Sequence, residues 1–314
     1  MLHNIAPFFI VGHPRSGTTL LSAIIDRHSA CASTPESHYF NKTIFLVQNA
    51  LNNNRDDLLK ILKESRFSTW GTDWEVIRKA LDEKNHSAGD IFDLLVREYG
   101  NRRKITNVFE KTPVHIRHID DILAVYPQAK FIWIIRDGRS AASSLKKVDW
   151  ATNDDIKLSK EWNRNMSFGL SAALRHPKAI HIVKYEGLIE DAESTVSKLM
   201  AYVDLQMEKS QLIPSDNNNL ISPGEHSWKR NINKNLMSDR INAWQKELSI
   251  DSTNILTQKM NYYLTQFEYL EKQTNWCVNL PSVEPSQKFM LAISVKLYKC
   301  KHWLYAKLFN RVPR

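Results

Sequence analysis

At 314 residues the chain exceeds the ~100–200 usual for one domain, but α/β enzymes reach this length as a single unit, so one large domain with an appendage is expected. Its 42% hydrophobic and 25% charged residues exclude a low-complexity chain, and its three cysteines, Cys31, Cys277 and Cys300, lack the spacing of a zinc site or disulfide framework and fit a reducing compartment. The formal charge of +9 is concentrated: residues 286–314 hold seven Lys or Arg and no Asp or Glu, which leaves the remainder at +2 and gives no support to nucleic-acid binding.

The segment before Val11 lacks a basic n-region and a cleavage site, so no signal peptide is expected. Phe8-Phe9-Ile10-Val11 reads as a buried strand, Gly12 to Gly17 as a loop, and Thr18 to His28 as a helix with Leu20, Leu21, Ile24 and Ile25 on one face. Residues 41–105 read as a polar helical insert over the sheet, with apolar positions such as Leu58, Leu59, Ile61, Leu62, Ile91, Leu94 and Leu95. A second strand-loop-helix unit follows at Phe131 to Ile135, Arg136-Asp137-Gly138, and a helix over about Arg139 to Lys147. Ile180-His181-Ile182-Val183 is a further strand, followed by a helix carrying Val196, Leu199, Met200 and Val203. Asn217-Asn218-Asn219 and Pro223-Gly224 mark a long loop before a helix over about Ser238 to Leu248. Apolar strands feeding helices predict a parallel sheet.

Gly12-x-x-x-x-Gly17-Thr18-Thr19 has the frame of a phosphate-binding loop, with Thr18 where the usual lysine would stand. Inward-turned amides and a helix start bind an anion whatever the side chains, while the missing lysine argues against ATP or GTP hydrolysis. Arg15 supplies a guanidinium suited to phosphate or sulfate. Taken alone, the motif has a plain alternative as a tight strand-helix turn with Arg15 at the surface.

Pro14-Arg15-Ser16-Gly17-Thr18-Thr19-Leu20 after an apolar strand resembles the 5′-phosphosulfate loop of sulfotransferases that use 3′-phosphoadenosine 5′-phosphosulfate (PAPS), in the form of bacterial members and protein-tyrosine sulfotransferases. Arg136-Asp137-Gly138-Arg139-Ser140-Ala141-Ala142-Ser143-Ser144 is similar to the family's 3′-phosphate site. There Arg136 and Ser144 would hold the phosphate, with Ser140 and Ser143 on the same helical face and Arg139 alongside. The bland reading is a surface Arg-Asp pair opening a helix.

The resemblance implies further roles. Glu36, in Thr34-Pro35-Glu36-Ser37, stands 21 residues after Arg15 and would be the catalytic base; His13 and His38 are rivals, and a helix-start carboxylate is the plain alternative. Lys111, in Glu110-Lys111-Thr112-Pro113, stands 25 residues before Arg136 and would meet the bridging oxygen of the donor; an exposed lysine before a proline-started helix is its alternative. Ser227 resembles the family's late serine near the transferred group, with Ser222 as its rival. Tyr185, in Lys184-Tyr185-Glu186-Gly187-Leu188, would border the nucleotide, although Gly187 replaces the usual Asp.

The expectation is therefore a three-layer, P-loop-like α/β fold with a mainly parallel central sheet. A sulfotransferase domain over 1–275 contains the helical insert, 276–285 form a linker, and 286–314 form a basic amphipathic helix. The reaction would move a sulfuryl group from PAPS to a hydroxyl of a glycan, lipid, peptide or small molecule, leaving 3′-phosphoadenosine 5′-phosphate (PAP), with no metal. The rivals are a P-loop kinase and a non-catalytic, membrane-associated nucleotide-binding protein. A cytoplasmic protein is expected, with a homodimer left open. In the tail, Lys288, Lys296, Lys299, Lys307, Arg311 and Arg314 fall within an arc of about 140°, opposite Met290, Leu297, Tyr298, Leu304, Tyr305, Leu308 and Phe309. Such a helix suits the inner face of an anionic membrane or packing on protein.

Overall fold

Strand β1 (Phe8–Gly12) is buried over its whole length and forms the centre of a five-stranded sheet. The structure, a computed structural model, describes residues 7–83, 86–213 and 240–270. The other strands are β2 (Cys31–Ser33), β3 (Asn107–Lys111), β4 (Lys130–Ile135) and β5 (Ile180–Lys184). Their order is β2-β3-β1-β4-β5, and all four pairings are parallel. Register places Ile10 beside Lys111 and Gly12 beside Ile134, so the strands end along one edge.

The helices follow in chain order as α1 (Thr18–Asp26), α2 (Ile44–Asn53), α3 (Leu58–Glu64), α4 (Trp74–Glu83), α5 (Ala88–Arg103), α6 (Ile119–Val125), α7 (Gly138–Leu145), α8 (Asp155–Arg175), α9 (Tyr185–Glu190), α10 (Ala192–Tyr202), α11 (Trp244–Glu247) and α12 (Ile250–Gln266). Alternation along β1 decides the layers. Phe8 and Ile10 join Ile132 and Ile134 of β4 in a cluster with Leu21, Ile24 and Ile25 of α1 and Val196, Leu199 and Met200 of α10. Phe9 turns the other way and stacks with Phe131 of β4 and Phe92 of α5. Further along that face, Trp133 meets Gly169 of α8 and Phe267 just past α12. Each fully buried Phe, Ile or Val of β1 and β4 stabilises the fold by about 1.5–3 kcal/mol relative to exposure. The result is a three-layer α/β sandwich.

Several boundaries differ from expectation. The first helix stops at Asp26, because residues 27–30 turn back and Cys31 takes up the β2 ladder beside Asn107. The α7 helix spans Gly138–Leu145, since Asp137 caps it through the Arg139 amide. Within the helix expected from Ser238, the described part is only the short α11. Ser222, Ser227, the 276–285 linker and the basic 286–314 helix lie outside the described residues. Among the described residues, no helix is long and apolar enough to cross a membrane.

Candidate active site

The chain leaves β1 toward β2 on one side of the sheet and leaves β4 toward β5 on the other, so the connections diverge between β1 and β4. Ligands of open α/β sheets bind at such a point, outside the carboxyl ends of the strands. The 13–17 loop and the 136–137 turn both lie there. Gly12 packs against β4 so closely that a Cβ would stand 2.5 Å from the Ile134 carbonyl oxygen. Arg15 adopts a left-handed backbone at φ 68°, which costs a non-glycine residue about 1–2 kcal/mol. Gly17 also has positive φ, and its α carbon lies against the Tyr185 ring. The N-cap of α1 is Gly17, which has no side chain to cap the helix, so its first amides suit an anion.

Arg15 Nε donates to Ser144 Oγ at 3.0 Å, bridging the loop to α7. Arg136 donates to the Arg15 carbonyl at 3.1 Å and to the Arg240 carbonyl at 2.7 Å, and its guanidinium lies 4.1 Å from the Tyr185 ring centroid. Arg136 Nε and Ser16 Oγ are buried without a hydrogen-bond partner among the described residues. Buried donors of this kind normally have partners, so the site fits a bound phosphate. Arg139 is placed differently: it pairs with Asp137 at 2.7 Å, donates to the Tyr269 carbonyl and lies 4.0 Å from the Trp244 ring centroid. Ser140 and Ser143 donate to the Ile241 carbonyl and to Glu247. Beneath the turn, Glu186 accepts from the Asp137 amide and the Tyr269 hydroxyl, and burial raises its pKa.

Glu36 lies in the 34–38 loop after β2, three residues before the helical turn Tyr39–Thr43. Its Oε1 accepts from Lys111 Nζ at 2.6 Å, and its Oε2 stands 3.5 Å from His38 Nε2. Lys111 ends β3 and is 1% exposed, so the alternative of an exposed lysine fails: the β3 ladder carries the side chain inside. His38 is left-handed, at φ 51°. His13 is buried; its Nδ1 accepts from the Asn165 amide at 2.7 Å, and Arg117 fixes that amide by donating to its oxygen at 2.6 Å. Burial chiefly, with Arg117 adding, lowers the His13 pKa to about 3. The neutral ring therefore carries its proton on Nε2 and has its lone pair engaged. Among the described residues, no group of His, Cys, Asp or Glu could hold a metal.

The sulfotransferase family profile matches residues 7–209, which include both arginine motifs and the Glu36–Lys111 pair. The chain belongs to the sulfotransferase family. Among its relatives, a putative protein-tyrosine sulfotransferase of Caenorhabditis briggsae is 27% identical over 217 residues, covering 65% of this chain and 67% of that protein. Protein-tyrosine sulfotransferase 1 of Danio rerio is 24% identical over 202 residues, covering 63% of this chain and 52% of that protein. The chain thus spans from about half to two thirds of the length of these relatives. The sulfotransferase domain of the Synechococcus PCC 7002 olefin synthase shares the fold, with TM-score 0.56, 19% identity and coverage of 80% of this chain and 93% of that one. The sulfotransferase domain of the curacin biosynthetic pathway does so with TM-score 0.57, 17% identity and coverage of 81% and 96%.

In this sulfotransferase fold, Pro14, Arg15, Ser16, Gly17, Thr18, Thr19 and Leu20 form the loop and first turn of α1. Arg136, Ser144 and Tyr185 converge on them, and Glu36 meets Lys111. Arg139 braces Asp137 and Trp244 instead. Glu110, Arg117, Asn165, Glu186 and Arg240 join these contacts without having been expected from the sequence. Glu110 had a signal, a second charge beside Lys111; the others are joined only by the fold.

Proposed function

We propose that the chain transfers a sulfuryl group from PAPS to a hydroxyl acceptor, releasing PAP and a sulfate ester. The observation that carries this reading is the junction of the two anion-binding elements. Arg15 reaches Ser144 while Arg136 reaches the Arg15 carbonyl, so groups suited to a 5′-phosphosulfate and a 3′-phosphate are contiguous. In this reading the loop amides and Arg15 orient the donor, and Arg136 with Ser144 reads its 3′-phosphate. Glu36 takes the acceptor proton as the new S–O bond forms, and Lys111 neutralises charge on the bridging oxygen as the old bond breaks. Tyr185, touching both Gly17 and Arg136, steadies the two halves. Thr18 in place of the P-loop lysine disfavours a kinase. Relatives named protein-tyrosine sulfotransferases support a hydroxyl acceptor, of which a peptide tyrosine is one class.

Thermal shift tests the donor assignment. PAP should raise Tm well beyond AMP at matched concentration, because binding to the native state stabilises it by mass action. Arg136→Ala should erase the difference. Equal shifts with PAP and AMP on the native chain would remove the 3′-phosphate from the reading.

A further inference from the structure

We propose that Glu110 is a positioning residue: its buried carboxylate clamps the loop after β2 against the end of β3, so that Glu36 is held on Lys111. The inference rests on the base and lysine roles proposed above. Backbone pairing between β2 and β3 ends where the Thr34 amide donates to the Phe109 carbonyl at 2.9 Å. Beyond that point the parallel register is left and two side-chain contacts hold the loop to the strand end. Lys111 takes Glu36, and Glu110 takes Ser37.

Alternation along β3 sends Glu110 and Lys111 to opposite sides of the strand, and Ser37 and Glu36 follow them there. The two contacts therefore hold the loop on both sides of the strand end. Glu110 Oε1 accepts from the Ser37 amide at 3.1 Å and the Ser37 hydroxyl at 2.9 Å, and also from the Thr112 hydroxyl. Thr112 Oγ1 in turn accepts from the Ser37 amide at 3.1 Å and the His38 amide at 3.4 Å, holding the left-handed residue that faces Glu36. On the far side, His115 Nδ1 donates to Glu110 Oε2 at 3.0 Å.

A buried carboxylate is costly unless its oxygens are satisfied, and Glu110 is 2% exposed. Burial pushes its pKa up, but His115, Thr112 and Ser37 outweigh that and hold it below the ordinary carboxylate range. The acceptor at the centre of the clamp is thus charged. A strand needing only stability could fill the position with an apolar residue; this one spends a charge on the residue next to Glu36.

The test uses the full chain with Glu110→Ala, Glu110→Gln and Thr112→Val, and Glu36→Gln as the benchmark. Three quantities are read: hydrogen exchange at the Ser37 and His38 amides, PAP affinity by calorimetry, and kcat for transfer from PAPS to the best of a sugar, phenol and peptide acceptor panel. Glu110→Ala and Thr112→Val should raise exchange at both amides and lower kcat by about 10²-fold toward the benchmark, the size expected of a small misplacement, with PAP affinity unchanged. Glu110→Gln keeps an oxygen acceptor for Ser37 and should stay near wild type; Thr112→Val is isosteric and keeps the test open if Glu110→Ala does not fold. Unchanged exchange, wild-type kcat in both releasing variants, or PAP affinity falling together with kcat would overturn the proposal. If the native chain transfers sulfuryl to no acceptor and ignores PAP, the functional reading fails, while the exchange measurement still decides the clamp.

Discussion

Three side chains are candidates for the role of base, and hydrogen bonds set His13 apart from Glu36 and His38. His13 gives its Nδ1 lone pair to Asn165, whereas Glu36 divides its oxygens between Lys111 and His38 and is 17% exposed, open enough to meet an acceptor. Glu36→Gln and Lys111→Ala should therefore leave PAP affinity nearly intact and lower turnover by roughly 10²–10³-fold, as for groups that act in the transition state. Single-turnover transfer from radiolabelled PAPS, beside calorimetry with PAP, separates the two quantities; wild-type chemistry in Glu36→Gln would move the base to His38. Arg15, Glu36, Lys111, Arg136 and Ser144 could be named as candidates because fixed spacings carry them in a known family pattern, and the structure brings Arg15 to Ser144 and Arg136, and Glu36 to Lys111. The Arg117–Asn165–His13 relay was not, since a polar residue on a helix has no sequence mark telling which loop it will touch. Arg139 shows the same limit from the other side: a guanidinium in an anion-binding motif was captured by Asp137 and an indole.

Among the elements, β1 and β4 were visible as apolar runs because a strand covered on both faces needs little polarity, and β5 was visible as a run although it is an edge strand with Ile182 exposed. The β3 strand was not read, and its sequence explains why: Glu110 and Lys111 occupy two of its five positions and are buried by partners from another loop. The 21-residue α8 and the 17-residue α12 were also missed, since both carry polar residues around much of their circumference. Within α8, Gly169 sits against the indole of Trp133, where an added Cβ would lie 2.4 Å from a ring carbon. Gly inside a helix costs about 0.5–1 kcal/mol relative to Ala, so intrinsic propensity favours Gly169→Ala. Overpacking of a fully buried indole costs about 1–3 kcal/mol and should win, lowering the urea midpoint at unchanged slope. A higher midpoint would mean that α8 can slide on the sheet. PAP affinity should survive the change in either case.

For the whole molecule, the proposed peripheral membrane role belongs to the tail, whose seven basic and no acidic residues over 286–314 are a property of the sequence. The unit that ends at Tyr269 contains both arginine motifs and the Glu36–Lys111 pair. A chain truncated after Pro285 should therefore remain folded and bind PAP. In flotation assays the full chain should rise with anionic vesicles and release at high salt, while the truncated one stays behind; a full chain that ignores such vesicles would assign the tail to packing on protein. The sheet order also bears on how the chain is made. The central strand β1 is translated about 95 residues before β3 and about 120 before β4, its two neighbours. At ~5–20 residues per second, Phe8-Phe9-Ile10-Val11 must wait roughly 6–24 s beyond its own synthesis for β4 to be made. During that interval an apolar strand with an open edge, and with both edges open until β3 is made, is a template for aggregation, and pairings of such sequence separation close slowly. The arrangement that brings both arginines to one crevice therefore makes the nascent chain a natural client for a chaperone near the ribosome.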